Sequence, residues 1–309
     1  MRIIFFGTPD FAVPSLRAIE DSGEDLVAIV TQPDRTKGRG HRLSSPPVKE
    51  YAASRCMTIL QPLQVRSPEF LDALSALKPD MLVVVAFGRI IPPALLGLPP
   101  YGCINLHASI LPKYRGAAPI QWAIVRGETK TGVTTMQMDE GLDTGDTLLM
   151  AETAISPEDN ALTLGSRLSR IGADLLVETI RGIRDGSLKP APQAGEPSYA
   201  PIIRKDDGRI DWKSSAVDLF NLARGMFPWP GAFGFFRGEK ITMIRTRVLD
   251  EDARGVPGRI KEVAGDELRI ATGRGTLSVI ELRPEGRKTM SGAAFVRGRR
   301  LSGGMQFDG

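Results

Sequence analysis

The sequence predicts a doubly wound, Rossmann-like α/β domain followed by a small, OB-like β-barrel. Three observations lead there. Short β-branched runs alternate with helix-like segments through the first half of the 309-residue chain, the pattern of a parallel sheet covered by helices. Residues 81–87 are apolar throughout, as a central strand buried on both faces must be. Beyond residue 188 the texture turns Pro-rich and then breaks into short strand-like runs separated by Gly and charged turns, the pattern of a small barrel.

Taken in order, residues 2–6, 26–31, 57–61 and 81–87 read as strands. Between them, 14–21, 47–55 and 68–77 read as helices, each with a proline near its start, where a missing N–H costs nothing. Residues 101–108, 132–138 and 147–151 extend the strand set. Leu164, Leu168, Ile171, Leu175 and Ile180 then fall close to helical spacing. The stretch 188–197 is rich in Pro and small residues and reads as an extended linker. Runs at 241–249, 258–263, 267–271 and 276–282 predict the barrel strands. The expected division is a catalytic domain over 1–189, a linker over 190–206 and a barrel domain over 207–309.

Composition narrows the class. Hydrophobic residues at 42% and charged residues at 25% suit a soluble globular protein, and no apolar run reaches the ~18 residues of a membrane span. The apolar start is cut by Gly7-Thr8-Pro9-Asp10 before a signal-peptide core of ~7–15 residues forms. The only cysteines are Cys56 and Cys103, so no disulfide framework is indicated and a cytoplasmic site is expected. With His41 and His107 the only histidines, zinc-cluster spacing is absent and any imidazole chemistry must use one of that pair. Residues 204–309 hold 20 Lys and Arg against 14 Asp and Glu, while the rest of the chain is slightly acidic. A basic tail beside an acidic front fits an anionic partner, and equally a solvated basic surface.

The first turn, Gly7-Thr8-Pro9-Asp10-Phe11-Ala12, lacks the later glycines of a dinucleotide fingerprint, and no P-loop occurs; NAD and ATP are unsupported. The informative strand is Gly102-Cys103-Ile104-Asn105-Leu106-His107-Ala108. Alternation puts Asn105 and His107 on one face, near a strand end where open α/β sheets bind ligands. A hydrogen-bonded polar pair lining a crevice is the plain alternative.

Beyond His107 the chain reads Ser109-Ile110-Leu111-Pro112, then Arg115-Gly116 and Pro119, and after one more strand Gly141-Leu142-Asp143-Thr144-Gly145. In these residues the sequence resembles the formyltransferase family that uses 10-formyltetrahydrofolate. Ile110 replaces the commoner Leu, a volume-conserving change. Gly7-Thr8-Pro9-Asp10-Phe11, Gln32-Pro33-Asp34-Arg35, Gly38-Arg39-Gly40, Ile210-Asp211-Trp212 and Pro228-Trp229-Pro230-Gly231-Ala232 carry the resemblance over nearly the whole chain. They point to the branch that formylates methionyl-tRNA.

The resemblance implies Asn105, His107 and Asp143 as the catalytic triad. It implies a folate site at Ser109, Ile110, Leu111 and Pro112, with Phe87, Gly88, Arg89, Ile90 and Ile91 as the loop beside the pterin. Arg35, Lys37, Arg39 and Arg42 become contacts to the tRNA acceptor stem. The implied co-substrate is 10-formyltetrahydrofolate and the implied partner is initiator methionyl-tRNA, with no metal and no obligate protein partner. Those residue types suit the chemistry: an amide and a protonated imidazole donate to the oxygen of an attacked formyl group, and a carboxylate favours the imidazolium. Cys103 shares the face without an evident base and reads as packing. Formyl transfer to a nucleotide-linked amino sugar would use the same triad, and an RNA-binding protein with a degenerate enzyme domain is the reading from another class.

Overall fold

The computed structural model describes residues 1–37, 42–299 and 304–308. Among these, the contacts divide into two compact units, one of residues 1–119, 130–154 and 165–201, the other of residues 120–129, 155–164 and 202–309.

The first unit is built on a seven-stranded sheet. Its strands are β1 (Arg2–Gly7), β2 (Asp25–Val30), β5 (Ile59–Leu60), β6 (Met81–Val85), β7 (Cys103–His107), β8 (Lys130–Gln137) and β9 (Thr147–Ala154). Their spatial order is β5-β2-β1-β6-β7-β8-β9. Phe5 of β1 pairs in parallel with Ile29 on one side and Val83 on the other. Ile3, Ile4, Phe5 and Phe6 are all fully buried, which explains why these strands read as unbroken apolar runs: helices cover both faces. The chain goes outward from β1 to β2 and β5, then returns to β6 and β7, so the order reverses between β1 and β6. That reversal opens the crevice at the strands' C-terminal ends where such sheets bind ligands.

The helices α1 (Val13–Asp21), α2 (Pro47–Ser54) and α3 (Pro68–Ala76) carry the anticipated prolines in their first turns. Ser67 also caps α3, its hydroxyl accepting from the Phe70 N–H. The short α4 (Pro93–Leu96) follows β6, and the long α6 (Ala161–Arg184) lays Gly172 against Leu106 of β7.

The structure departs from expectation in three places here. β8 runs antiparallel to β7, and β9 antiparallel to β8; apolar alternation encodes burial and not strand direction, so sequence could not show it. The strand expected over 57–61 shrinks to Ile59–Leu60, an edge with one partner. The segment after β2, read as a loop, pairs β3 (Arg35–Lys37) with β4 (Arg42–Ser44) as a hairpin.

Residues 190–201, read as an extended linker, belong to the first unit. Ala191 exchanges backbone hydrogen bonds with Thr147, and Arg115 does so with Ser198 and Ala200. The Pro-rich composition does yield extended chain, and its free backbone groups find partners on β9 and on the segment after β7.

The second unit holds β10 (Ala232–Phe236), β11 (Glu239–Asp250), β12 (Ile260–Ala264), β13 (Glu267–Ala271), β14 (Thr276–Pro284) and β15 (Met290–Ser291), ordered β10-β11-β14-β13-β12 with β15 on β14. The segment 304–308 joins the two edges: Ile260 N–H donates to Met305 O and Phe307 N–H to Gly258 O, while Asp308 N–H donates to Phe235 O. A covered edge removes a template for aggregation. Phe307, 2% exposed, packs on Trp212 and Phe236 with ring centroids 5.1 and 5.3 Å away. Helices α5 (Pro119–Val125), α7 (Ala216–Gly225) and α8 (Gly292–Arg299), and β10, were not anticipated. The signal for α7 was present, because Ser215 and Asp218 form a capping box.

Candidate active site

β7 positions the first two polar residues. Its backbone is tied to β6 and β8, Asn105 pairing with Val84 and Met136, and His107 with Thr134. Two-residue alternation then puts Asn105 and His107 on one face, while Leu106 takes the face under α6. His107 is buried, 6% exposed. Its Nε2 lies 2.9 Å from the Tyr114 carbonyl, which only accepts, so Nε2 carries a proton and donates. Nδ1 faces Asp143, 3.6 Å from Oδ2. That is beyond a direct hydrogen bond and within ion-pair reach, so Nδ1 is the ring atom left for chemistry. The Asn105 side chain is half-buried and has no hydrogen-bond partner among the described residues.

Asp143 is delivered by the loop between β8 and β9. It is in the left-handed region, φ 52°, at a cost of about 1–2 kcal/mol for a residue with a Cβ. Its Oδ2 accepts from Gly116 N–H at 2.7 Å. Gly145 needs to be glycine because a Cβ there would stand 1.8 Å from the Gln137 carbonyl. The three residues expected as a triad are thus brought together.

The segment after β7 is locked through its hydroxyls. Ser109 Oγ donates to the Lys113 carbonyl, and Thr134 Oγ1 donates to Ser109 O while accepting from Leu111 N–H. Ser109, Leu111 and Pro112 are buried and Ile110 half-buried. In the other expected folate segment, after β6, the Phe87 ring packs edge-on against Phe6 at 5.2 Å, and its carbonyl accepts from Thr8 Oγ1 and Gln32 Nε2. That clasp bridges the point where the strand order reverses. Ile91 is buried, Ile90 is 75% exposed, and Arg89 donates to the carbonyls of Pro62 and Leu63. Gly88 has φ 77° and approaches Gln32, where a Cβ would stand 2.7 Å from Nε2. Gly88, Arg89, Ile90 and Ile110 are the members of the two segments with surface to offer; Phe87, Ile91, Ser109, Leu111 and Pro112 shape the backbone from within.

Of the expected RNA contacts, Arg35 is exposed on β3 and donates to Gln32 Oε1. Lys37 and Arg42 are backbone partners in the antiparallel register of β3 and β4. Arg39 and His41 lie outside the described residues. Cys103 is inert packing: buried, its thiol donates to the Leu95 carbonyl, and burial pushes its pKa up to about 12. Sequence reasoning missed Thr134, the Tyr114 carbonyl and Gln193. Only folding brings them to the site, and nothing in their local sequence marks them.

Residues 1–180 match the formyl transferase family and residues 202–300 the formyl transferase C-terminal domain. A methionyl-tRNA formyltransferase from Thermodesulfovibrio yellowstonii is 50% identical over 303 residues, covering 98% of this chain and 97% of that protein. This chain belongs to the methionyl-tRNA formyltransferase family. Family members transfer formyl groups from formyl-tetrahydrofolate. The fold is shared more widely. An N-formyltransferase from Helicobacter canadensis, solved with folinic acid and dTDP-3-aminofucose, superposes with a TM-score of 0.67 at 20% identity, covering 90% of this chain and 98% of that one. HypX from Aquifex aeolicus, solved with tetrahydrofolic acid, superposes with a TM-score of 0.63 at 19% identity, covering 96% of this chain and 47% of that one. Among the described residues no helix is long and apolar enough to cross a membrane, and no cluster of His, Cys, Asp and Glu could hold a metal ion.

Proposed function

We propose that this chain transfers the formyl group of 10-formyltetrahydrofolate to the amino group of methionine on initiator methionyl-tRNA, with Asn105, His107 and Asp143 as its catalytic residues. The observation that carries the reading is an Asn105 amide with no partner among the described residues, on the same strand face as a His107 whose Nδ1 lies 3.6 Å from Asp143. In the transfer the amine nitrogen bonds the formyl carbon, the bond from that carbon to the folate nitrogen breaks, and a proton passes from the amine to the leaving nitrogen. Asn105 donates its amide N–H to the oxygen that gains negative charge. His107, held through Nε2 by the Tyr114 carbonyl, presents Nδ1 as donor to that oxygen or carrier of the moving proton. Asp143 stabilises the ring when charged. No covalent nucleophile is needed, which agrees with the inert Cys103.

Formyl-donor binding is assigned to the segments 87–91 and 109–112, whose backbones are pinned across the sheet's C-terminal crevice. RNA binding is assigned to Arg35, Lys37, Arg39 and Arg42 and to the basic residues of 204–309, where cations follow phosphates and position the RNA. The deciding experiment offers the enzyme methionyl-tRNA, free methionine and a nucleotide-linked amino sugar as acceptors with 10-formyltetrahydrofolate as donor. Formylation of methionyl-tRNA alone is expected; turnover of the amino sugar with none of the tRNA would refute the assignment.

A further inference from the structure

The loop that carries Asp143 is strained, and its carbonyls at Asp143 and Gly145 are held by a side chain from outside its own strands. Asp143 is at φ 52° and is followed two residues later by Gly145 pressed against the Gln137 carbonyl. Strained backbone persists only where its surroundings over-determine it. Asp139, within the loop, accepts from Gly141 N–H and Thr144 Oγ1; the bracing from outside comes from Gln193, 50 residues downstream. Its Nε2 donates to the Asp143 carbonyl at 2.9 Å and to the Gly145 carbonyl at 2.8 Å. Its Oε1 accepts from Arg115 Nε at 3.1 Å and Arg115 Nη2 at 2.7 Å. Two guanidinium donors on one side and two carbonyls on the other fix the amide's orientation without ambiguity.

Arg115 stands between the two backbone groups that meet the catalytic side chains. The Tyr114 carbonyl accepts from His107 Nε2, and the Gly116 N–H donates to Asp143 Oδ2. The same segment is tied to the extended chain beyond Gln193: Tyr114 N–H donates to Ser198 Oγ at 2.9 Å, and a Cβ on Gly116 would stand 2.7 Å from the Ala200 carbonyl. The half-buried Gln193 therefore joins the segment that orients His107 to the loop that delivers Asp143.

We propose that Gln193 is a positioning residue for the formyl transfer, acting through Asp143 by donating two hydrogen bonds to the loop that bears it. This rests on the catalytic assignment of Asp143 made above. A misplacement of ~1 Å in a catalytic group costs roughly 100-fold in rate, so Gln193→Ala should lower kcat by ~10–100-fold. KM for methionyl-tRNA and for the formyl donor should stay within ~3-fold, because the loss is in orientation and not in substrate contacts.

Two features separate this from a merely structural role. Gln193→Glu keeps an acceptor for Arg115 but sets a carboxylate oxygen against two carbonyls, so it should lose kcat as badly as Gln193→Ala; if the bond to Arg115 were what mattered, Glu would rescue. In an Asp143→Ala background, Gln193→Ala should cost less than a further ~2-fold, since coupled residues are non-additive. Steady-state kinetics on Asp143→Ala, Gln193→Ala, Gln193→Glu and the Asp143→Ala/Gln193→Ala double variant test this, with thermal unfolding alongside. If Gln193→Ala does not fold, the Glu variant carries the test. Wild-type kcat for Gln193→Glu, or losses that multiply in the double variant, overturn the proposal. Asp143→Ala with wild-type kcat overturns the catalytic assignment itself, and this proposal with it.

Discussion

Truncating Asn105 to alanine separates catalysis from folding unusually cleanly. The side chain is half-buried and makes no hydrogen bond to any described residue, so its removal leaves no orphaned polar partner behind. The backbone pairs with Val84 and Met136 do not involve it. The expected fall in Tm is therefore under ~1 °C, corresponding to well under 1 kcal/mol for a chain of this size. The rate should behave differently. Loss of one oxyanion donor costs ~100–1,000-fold in turnover, about 2.7–4 kcal/mol of transition-state stabilisation. Asn105→Asp, nearly equal in volume, replaces the donor with an acceptor and should be at least as harmful. The assay is single-turnover formylation of methionyl-tRNA at saturating formyl donor, where KM for either substrate should change little. A single-turnover rate within ~3-fold of wild type for both variants would sink the oxyanion role of Asn105.

Other consequences follow from the same geometry. Exposed Cys56 should take up iodoacetamide at pH 8 while Cys103 does not, shown by peptide mapping. The raised Cys103 pKa means the folded state holds a proton that the unfolded state releases above ~8.5; its stability contribution is full below that pH and declines on the way to about 12. Phe307→Ala should destabilise the second unit by about 3–5 kcal/mol; all three tryptophans, Trp122, Trp212 and Trp229, lie in that unit, so a denaturant titration by tryptophan fluorescence reads it directly, and an unchanged midpoint would contradict closure by the terminal segment. Arg39→Ala should cost ~1–3 kcal/mol in kcat/KM on methionyl-tRNA and Arg39→Lys somewhat less, because a planar guanidinium bonds bidentately and an ammonium does not; equal activity with all three residues would remove Arg39 from RNA recognition.

The sequence alone determined the α/β alternation, the identity of the central strand, the common face of Asn105 and His107, and the barrel strands from residue 241 onward. Each is local: alternation with a period of two, prolines at helix starts, and apolar runs long enough to be covered on both sides. The residues that surround Asp143 were of another kind. Tertiary structure alone decided that β8 turns antiparallel, since burial patterns carry no direction. It alone decided that Nδ1 of His107 faces the carboxylate, because the Tyr114 carbonyl claims Nε2. The stretch 188–197 shows the contrast most clearly. Its composition dictated extended chain with unpaired polar groups, but its partners lie far upstream: the Ala191 backbone pairs with Thr147, and the Gln193 side chain with Arg115 and the Asp143 loop. A Pro-rich strap and a flexible linker have the same local signature; what separates them is whether distant donors and acceptors arrive to meet it, and only the closed fold brings Gln193 to the Asp143 loop.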